Sequence, residues 1–248
     1  MKNNDQTSYL FGLPIFSKDK KTLLNELSAH LSRSRTTAYI FTPNPEQIVQ
    51  AHDDSSFLSV LKQADFLLPD GVGLVIASRI LAWRQPVKPL PERIGGREVV
   101  EDLITMAREQ NASVVVIGGR DYDQSDHPDW EWLPGYADVK HPTDDEEALI
   151  KRRLQRLKPA IVFVAFGAPY QEKWVVSHRE MLETNQVRLL MVVGGAFDTL
   201  TGRLSRPPRW VATWGIEWLY RLVQQPWRWR RQLRLITFGW LTLKEFLK

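Results

Sequence analysis

The run AIVFVAFG at residues 160–167 contains no polar side chain, and it decides the fold class. A continuous apolar run of this length is typical of a strand buried on both faces of a parallel sheet. Four further β-rich runs share this character: AYIFT (38–42), DFLLP (65–69), SVVVIGG (113–119) and RLLMVVGG (188–195). Helical patterns lie between them, over residues 19–33, 45–62, 73–83, 96–110, 144–157 and 169–184. This alternation predicts an α/β fold with a mostly parallel sheet flanked by helices.

The rest of the sequence narrows the class of protein. Residues 121–143 are polar and rich in Pro and Asp, which predicts a loop with one short strand at 136–139. The polar start MKNNDQTSYL predicts no secretory signal, and no apolar run approaches the roughly 18–20 residues that span a bilayer. The chain has no cysteine, which excludes disulfides and thiol chemistry and fits a cytoplasmic protein.

Charge and tryptophan are concentrated near the C-terminus. Residues 203–248 contain ten Lys or Arg and two Asp or Glu, a net charge of +8, so residues 1–202 carry −4 of the total of +4. Six of the ten tryptophans also lie in this segment. We therefore expect two parts, an α/β domain at 1–202 and a basic appendage at 203–248 that meets an anionic partner or surface.

The appendage has the spacing of an amphipathic helix. One apolar stripe has spacings of 4, 3, 4, 3 and 4: Trp229, Leu233, Ile236, Trp240, Leu243 and Leu247. Arginines 230, 231 and 234 fall on the opposite side. A basic amphipathic helix with tryptophans is typical of proteins that bind a membrane surface. The alternative is a helix that packs on its own domain. Nucleic-acid binding is disfavoured, because the remainder is acidic and carries no known nucleic-acid motif.

Glycines end three of the predicted strands, at Gly118-Gly119, Gly167 and Gly194-Gly195. Ligands of open parallel sheets bind at the carboxyl ends of strands, where glycine permits a close approach of the backbone. The pattern predicts a ligand cleft that includes Gly118, Gly119 and Gly195. A tight turn after each strand is the alternative.

The stretch LLPDGVGLVIASR (67–79) supplies a candidate base. A buried strand runs into Asp70, followed by two glycines and an apolar helix. A carboxylate at this position can accept a proton from a substrate hydroxyl. Alternatively, Asp70 is the N-cap of the helix.

Two other motifs supply candidate ligand contacts. In TPNPEQ (42–47), prolines hold Asn44 so that its amide can contact a sugar or base, or it caps the following helix. In ERIGG (92–96), Arg93 can bind a phosphate or carboxylate, or form a surface salt bridge.

Polar residues also follow two later strands. Gln171 lies in FGAPYQEKW (166–174) and Asp198 in GGAFDTLTGRLSRPPRW (194–210). Each is a candidate ligand contact or a polar residue at a helix start. The pair Asp121 and Asp123 resembles a metal-binding D-x-D, but a three-residue match is weak and we expect no metal. No G-x-G-x-x-G fingerprint occurs, which argues against a nicotinamide cofactor.

Taken together, these motifs resemble the WecG/TagA/CpsF family of bacterial glycosyltransferases. The resemblance is carried, in order, by TPNPEQ, PDGVG, ERIGG, VVVIGG, FGAPYQEKW, GGAFDTLTGRLSRPPRW and GIEWLYRLVQQPWRWRRQ, and it covers roughly residues 10–235. It departs from the family at 120–135, where a helix usually follows the glycine pair and this chain has a helix-poor segment.

The resemblance implies a Rossmann-like fold with a helical, basic C-terminal appendage that engages the membrane. It implies inverting transfer, without metal or other cofactor, of N-acetylmannosamine or its uronic acid from a UDP-sugar to N-acetylglucosamine on a polyprenyl diphosphate lipid. The products of the family feed teichoic acid and other cell-surface polysaccharides. The enzyme is then expected to be peripheral at the inner face of the cytoplasmic membrane, and a homo-oligomer is compatible with an undocked appendage.

The resemblance also assigns roles to individual residues. Asp70 is the family's proposed base. Thr42, Asn44 and Gln171 match its substrate-binding positions, and the appendage arginines match Arg221, Arg228 and Arg231, which hold either UDP or the lipid diphosphate. Two other hypotheses stay open from the sequence alone: a nucleotide-dependent oxidoreductase, and a non-catalytic adaptor for a membrane surface or nucleic acid.

Overall fold

The computed structural model of the chain describes residues 6–119, 129–203, 205, 220, 222–223 and 229–248. Within these residues the strands are β1 (Thr7–Leu10), β2 (Leu13–Phe16), β3 (Ala38–Phe41), β4 (Phe66–Leu67), β5 (Val114–Gly118), β6 (Glu131–Leu133), β7 (Ile161–Ala165) and β8 (Leu189–Val192). The helices are α1 (Lys20–Arg33), α2 (Pro45–Asp53), α3 (Ser55–Leu61), α4 (Val72–Leu81), α5 (Gly96–Glu109), α6 (Asp144–Leu157), α7 (Tyr170–Ser177), α8 (Arg179–Thr184), α9 (Ala196–Leu200) and α10 (Trp229–Phe246).

Six strands form one parallel sheet in the order β4-β3-β8-β7-β5-β6. The run that decides the fold class, β7, lies between β8 and β5, where Val162 is paired with Leu190 on one side and Val115 on the other. The predicted α/β class, with helices on a Rossmann-like parallel sheet, is confirmed.

Each face of the sheet has its own core, because alternate residues of a strand point to opposite faces. In β7, Ile161 and Phe163 pack with apolar residues of α1 and α5. Val162 and Val164 pack with residues of α2, α3, α4 and α7. This two-sided burial explains why the strands read as unbroken apolar runs rather than as alternating ones.

Two helices predicted as continuous are broken in two. The pattern at 45–62 is interrupted at Asp54, which ends α2 and whose carboxylate caps α3 by accepting from the N–H groups of Ser56 and Phe57 at 2.9 and 3.2 Å. The pattern at 169–184 is interrupted at His178. Periodicity persists through both breaks, because each pair of helices covers the same face of the sheet.

The strand predicted at 136–139 is wrong. The strand of this segment is β6, which pairs in parallel with β5, whereas 136–139 form a bend and turn. Trp132 fixes β6 by donating from Nε1 to the carbonyl of Gly118 at 2.9 Å. A hairpin of β1 and β2 was not predicted either. Its two-residue turn, Phe11-Gly12, has φ of 52° and 74°, the combination that matches the twist of hairpin strands.

The appendage ends in α10, which packs on α2 and α4. Phe238 and Leu241 are buried in the same core as those helices, and the Phe238 ring lies 5.3 Å from that of Phe11. Among the described residues, no helix is both long and apolar enough to cross a membrane. The domain boundary at residue 203 stays a prediction.

Candidate functional site

Three predicted motifs meet at the carboxyl ends of β3 and β4. The N–H of Asp70 donates to the carbonyl of Pro43 at 3.1 Å, and the N–H of Ile94 donates to the carbonyl of Pro69 at 3.1 Å. These bonds join the TPNPEQ, PDGVG and ERIGG loops, which are widely separated in the sequence. They therefore form one continuous rim at this edge of the sheet, the edge where ligands of open α/β sheets bind.

Asp70 and Arg93 face each other on this rim. Nη1 of Arg93 lies 3.7 Å from Oδ1 of Asp70, while Nη2 donates to Oε1 of Glu98. The guanidinium also lies over Gly95, where a Cβ atom would come within 2.7 Å of Nη1. The salt-bridge alternative for Arg93 is thus confirmed, and its binding of a ligand stays a prediction. Both side chains of the Asp70–Arg93 pair remain partly exposed, so a substrate can reach a proton acceptor beside a fixed positive charge.

Asp70 does not cap the following helix. The N-cap of α4 is Gly71, with φ of +139°, a conformation that side-chain-bearing residues rarely adopt. A Cβ at Gly71 would also lie 3.0 Å from Cδ of Pro45. The N-cap alternative for Asp70 is therefore wrong, and the glycine turns its carboxylate to the rim rather than to the helix end.

The Thr42 and Asn44 positions follow β3 directly. Asn44 forms a capping box, in which its Oδ1 accepts from the N–H of Gln47 at 3.0 Å and its own N–H donates to Oε1 of Gln47 at 3.1 Å. Thr42 lies against the start of α5, where a Cβ at Gly96 would come within 3.3 Å of its Cγ2. The capping role of Asn44 is confirmed. Substrate contacts by both residues stay predictions.

A buried hydrogen-bond network connects this rim to the ends of β7 and β8. Oε1 of Gln171 accepts from the N–H of Gly167 at 3.1 Å and from the N–H of Gly194 at 3.0 Å. Its Nε2 donates to Oε1 of Glu172 at 3.0 Å, and Nε2 of Gln47 donates to the same oxygen at 2.9 Å. The Gln171 amide is buried and hydrogen-bonded through both its oxygen and its nitrogen. It therefore joins the loops after β7 and β8 directly, and the segment after β3 through Glu172. A direct ligand contact by Gln171 stays a prediction.

Glu172 is a residue of this site that the sequence patterns do not predict. Its side chain is fully buried, and its Oε2 has no hydrogen-bond partner. Burial raises the pKa of Glu172 to about 7, against the opposing effect of hydrogen bonds from Gln171, its own backbone and Gln47. An acidic residue in the first turn of a helix is common, because it interacts favourably with the helix dipole, so no local pattern indicates that Glu172 is buried.

Gly118 and Gly119 lie at the end of β5, both with positive φ. A Cβ at Gly118 would lie 2.5 Å from the ring of Phe166, which follows β7. Glycine is required here because an aromatic ring occupies the space of its side chain. Phe166 is a second missed residue. Its ring packs 5.2 Å from Tyr136 and 5.5 Å from Trp174 and forms an aromatic wall beside the glycines.

Gly195 and Asp198 follow β8. Asp198 lies in the first turn of α9, and a Cβ at Gly195 would come within 3.0 Å of its Oδ2. The absence of a side chain at Gly195 thus allows the carboxylate to lie over the backbone. Both residues are at the predicted edge, and their contacts with a ligand stay predictions.

The other predicted site residues fall largely outside the described residues. Arg221, Arg228 and the Asp121–Asp123 pair lie outside them, and Arg231 lies in α10 with no description of its side chain. Among the residues that the structure describes, no group of three or more His, Asp or Glu side chains is placed to hold a metal ion. Independence from a metal stays a prediction.

Comparison with known proteins gives consistent matches. Residues 8–248 match the model of the glycosyl transferase WecG/TagA/CpsF family. The chain is 29% identical to the N-acetylglucosaminyldiphosphoundecaprenol N-acetyl-beta-D-mannosaminyltransferase of Bacillus subtilis (strain 168), over 97% of this chain and 92% of that protein. It is 31% identical to the protein of the same name from Bacillus spizizenii, over 89% and 87% of the two chains. For the protein of that name from Staphylococcus aureus (strain MW2) the identity is 28%, over 82% and 78%.

Proposed function

The chain belongs to the WecG/TagA/CpsF family of glycosyltransferases, and from this premise we propose that it transfers N-acetylmannosamine, or its uronic acid, from a UDP-sugar to N-acetylglucosamine on a polyprenyl diphosphate lipid. The names of the three relatives support the acceptor and the sugar. The family assignment favours this reaction over the oxidoreductase and the non-catalytic adaptor. We further propose that transfer inverts the anomeric centre, needs no metal and takes place at the inner face of the cytoplasmic membrane.

One observation carries the assignment of the chemistry to this edge of the sheet. Asp70 lies on the rim where three loops join, partly exposed and 3.7 Å from a guanidinium nitrogen of Arg93. A carboxylate in that setting can accept the proton of an acceptor hydroxyl as the oxygen attacks the anomeric carbon. The bond from that carbon to the diphosphate breaks as the new bond forms, and UDP leaves with the bonding electrons.

The departing diphosphate needs positive charge nearby. Arginine is suited to this, because its planar guanidinium can form paired hydrogen bonds with phosphate oxygens. Arg93 already stands on the rim, and Arg221, Arg228 and Arg231 of the appendage are the further candidates. Thr42, Asn44 and Asp198 are proposed to contact the sugars, and the glycines after β5 and β8 to let the nucleotide approach the backbone.

The first test replaces the proposed base. We expect Asp70→Asn to lower turnover by ~10²-fold or more, since general-base catalysis is worth ~10²–10⁴, and to leave the thermal unfolding midpoint unchanged. UDP release is measured with a panel of UDP-sugars and a lipid-diphosphate-linked N-acetylglucosamine acceptor. The matched control is Asp53→Asn, an exposed aspartate at the end of α2, which should retain full activity.

Two results would contradict the proposal. If folded Asp70→Asn protein retains more than about a tenth of wild-type turnover, Asp70 is not the base. If the wild-type protein releases UDP from no donor in the panel, the proposed reaction itself is wrong.

A further inference from the structure

Helix α4 presents an apolar face to solvent. Four exposed apolar side chains lie on one side of this segment, three within α4 and one just after it. Their spacings are 4, 4 and 3: Val72, Ile76, Ile80 and Trp83. Trp83 is 83% exposed and Ile76 51%. The opposite side of α4 is buried in the core through residues such as Leu74 and Leu81, so the exposed face is not needed for packing.

Helix α10 presents a second apolar face. Five members of the stripe predicted from the sequence are exposed: Leu233, Ile236, Trp240, Leu243 and Leu247. Ile236 is 73% and Trp240 64% exposed. The body of the protein is instead contacted by Phe238 and Leu241 on the other side of the helix. The alternative that this helix packs on its own domain is therefore confirmed, but the packing is made by Phe238 and Leu241 and not by the described members of the stripe.

The two helices run alongside each other in the same direction. Near the start of α4, a Cβ at Gly73 would lie 3.5 Å from the Phe238 ring, in the middle of α10. Just past the end of α4, the guanidinium of Arg84 lies 5.3 Å from the Phe246 ring, and Gln85 donates to the carbonyl of Glu245. Residues later in α4 thus contact residues later in α10. The two exposed faces therefore belong to neighbouring helices that run in parallel.

The charges beside these faces are basic. Exposed cationic side chains lie beside them: Arg79 on α4, Arg84 just after it, and Lys244 on α10. α4 contains no acidic residue, and the one acidic residue of α10, Glu245, accepts a hydrogen bond from Lys248 at 2.6 Å. Apolar side chains bordered by cations suit the headgroup region of an anionic bilayer. A second copy of the chain would instead oppose like charges, which is unfavourable.

We propose that the exposed faces of α4 and α10 form one surface that docks on an anionic lipid bilayer, so that α4 is a membrane contact in its own right beside the appendage. The proposal rests on the proposed function for the lipid-linked acceptor. α4 begins two residues after Asp70 and is about 15 Å long at 1.5 Å per residue. Docking therefore places the Asp70 rim beside the headgroups, where the diphosphate of a lipid-linked acceptor lies.

The test separates α4 from the appendage. A variant with Ile76→Ser and Trp83→Ser keeps α10 intact and removes the two most exposed side chains of the α4 face. Binding of the full chain is measured by co-flotation with vesicles of phosphatidylglycerol and phosphatidylcholine, and with phosphatidylcholine alone. Leu149→Ser, at an exposed leucine of α6, is the matched control. We expect the α4 variant to lose affinity for the anionic vesicles by about tenfold or more, with an unchanged unfolding midpoint, and the control to bind as wild type does.

Several outcomes would overturn the proposal. One is equal flotation of the α4 variant and the wild type, which would leave the appendage as the membrane contact without α4. Another is equal binding to neutral and anionic vesicles, which would remove the role of the basic residues. A third is that the wild type elutes as a dimer and the α4 variant as a monomer in gel filtration, while neither protein binds vesicles. This surface would then be an interface between two copies of the chain.

Flotation needs no turnover, so it is independent of the proposed reaction. Failure of transfer with intact flotation counts against the proposed function alone. If the wild type shows transfer activity, the α4 variant should lose activity on a vesicle-borne acceptor and keep it on a short-chain, water-soluble acceptor.

Discussion

At the scale of single residues, Glu172 shows how a buried side chain can organise a surface site. Its Oε1 accepts from two glutamines, one that belongs to the capping box after β3 and one that holds the backbone after β7 and β8. Its Oε2 is buried without a partner. The neutral form of the carboxyl group fits this position better than the charged form, because a buried charge without compensating partners is costly.

The stability of the protein should therefore depend on pH through Glu172. Its folded-state pKa of about 7 lies above the ordinary value of 4.5, so between these values the folded chain holds a proton that the unfolded chain has lost. Stability then falls as pH rises through this window and levels off above it. We expect the free energy of unfolding of the wild type, relative to Glu172→Gln, to fall by on the order of 2 kcal/mol between pH 5 and pH 8.

Urea denaturation at several pH values measures this difference. Glu180→Gln, at an exposed glutamate of α8, is the control and should follow the wild-type profile. Parallel profiles for wild type and Glu172→Gln would show that Glu172 does not titrate in this range, and the assignment of a neutral buried carboxyl would be wrong.

At the scale of elements, α10 has two apolar sides with different roles. The side with Phe238 and Leu241 packs on α2 and α4, and the side with Ile236 and Trp240 is exposed. Helical periodicity identifies the second side, because its stripe is the longer and more regular one in the sequence. It does not identify which side meets the protein, since that depends on the shape and the residues of the helices beneath.

Two substitutions on α10 should separate these roles. Phe238→Ala opens a cavity between α10, α4 and the β1–β2 turn, and we expect it to lower the free energy of unfolding by about 3–5 kcal/mol. Ile236→Ala removes an exposed side chain and should change it by less than about 0.5 kcal/mol. Urea unfolding at one pH measures both. Similar losses in the two variants would mean that the packing side has been assigned incorrectly.

At the scale of the whole molecule, the strand order brings the site together. β3 and β8 are neighbours although most of the chain separates them, and β7 lies beside β8. Loops after these three strands are then close enough for one buried network to join them. The rim that carries Asp70 and Arg93 is anchored to that network through the TPNPEQ loop, so its geometry is a property of the complete sheet.

The end of the chain belongs to the same structure. α10 shares a core with α2 and α4, so a chain ended after residue 228 should expose apolar surface on these helices. We expect its unfolding midpoint to fall by at least as much as that of Phe238→Ala, and its binding of a hydrophobic dye to rise. The control is a chain ended after Phe246, which lacks only two exposed residues and should unfold as the full chain does. An unchanged midpoint in the shorter chain would indicate that α10 is independent of the body.

The sequence by itself determined five of the six strands of the parallel sheet, the helical segments between them and the loops that carry the site. Local apolar patterns indicate which elements are buried on one face and which on two. Glycines and Asp70 follow strands in the sequence, and Arg93 precedes a helix. Only the tertiary structure decided that Arg93 reaches Asp70, that Gly71 rather than Asp70 caps α4, that Glu172 is buried, and that α10 turns its regular stripe outward. These features depend on contacts between segments that are far apart in the chain. They follow from strand order and from the packing of particular side chains, which the period of a local pattern does not specify.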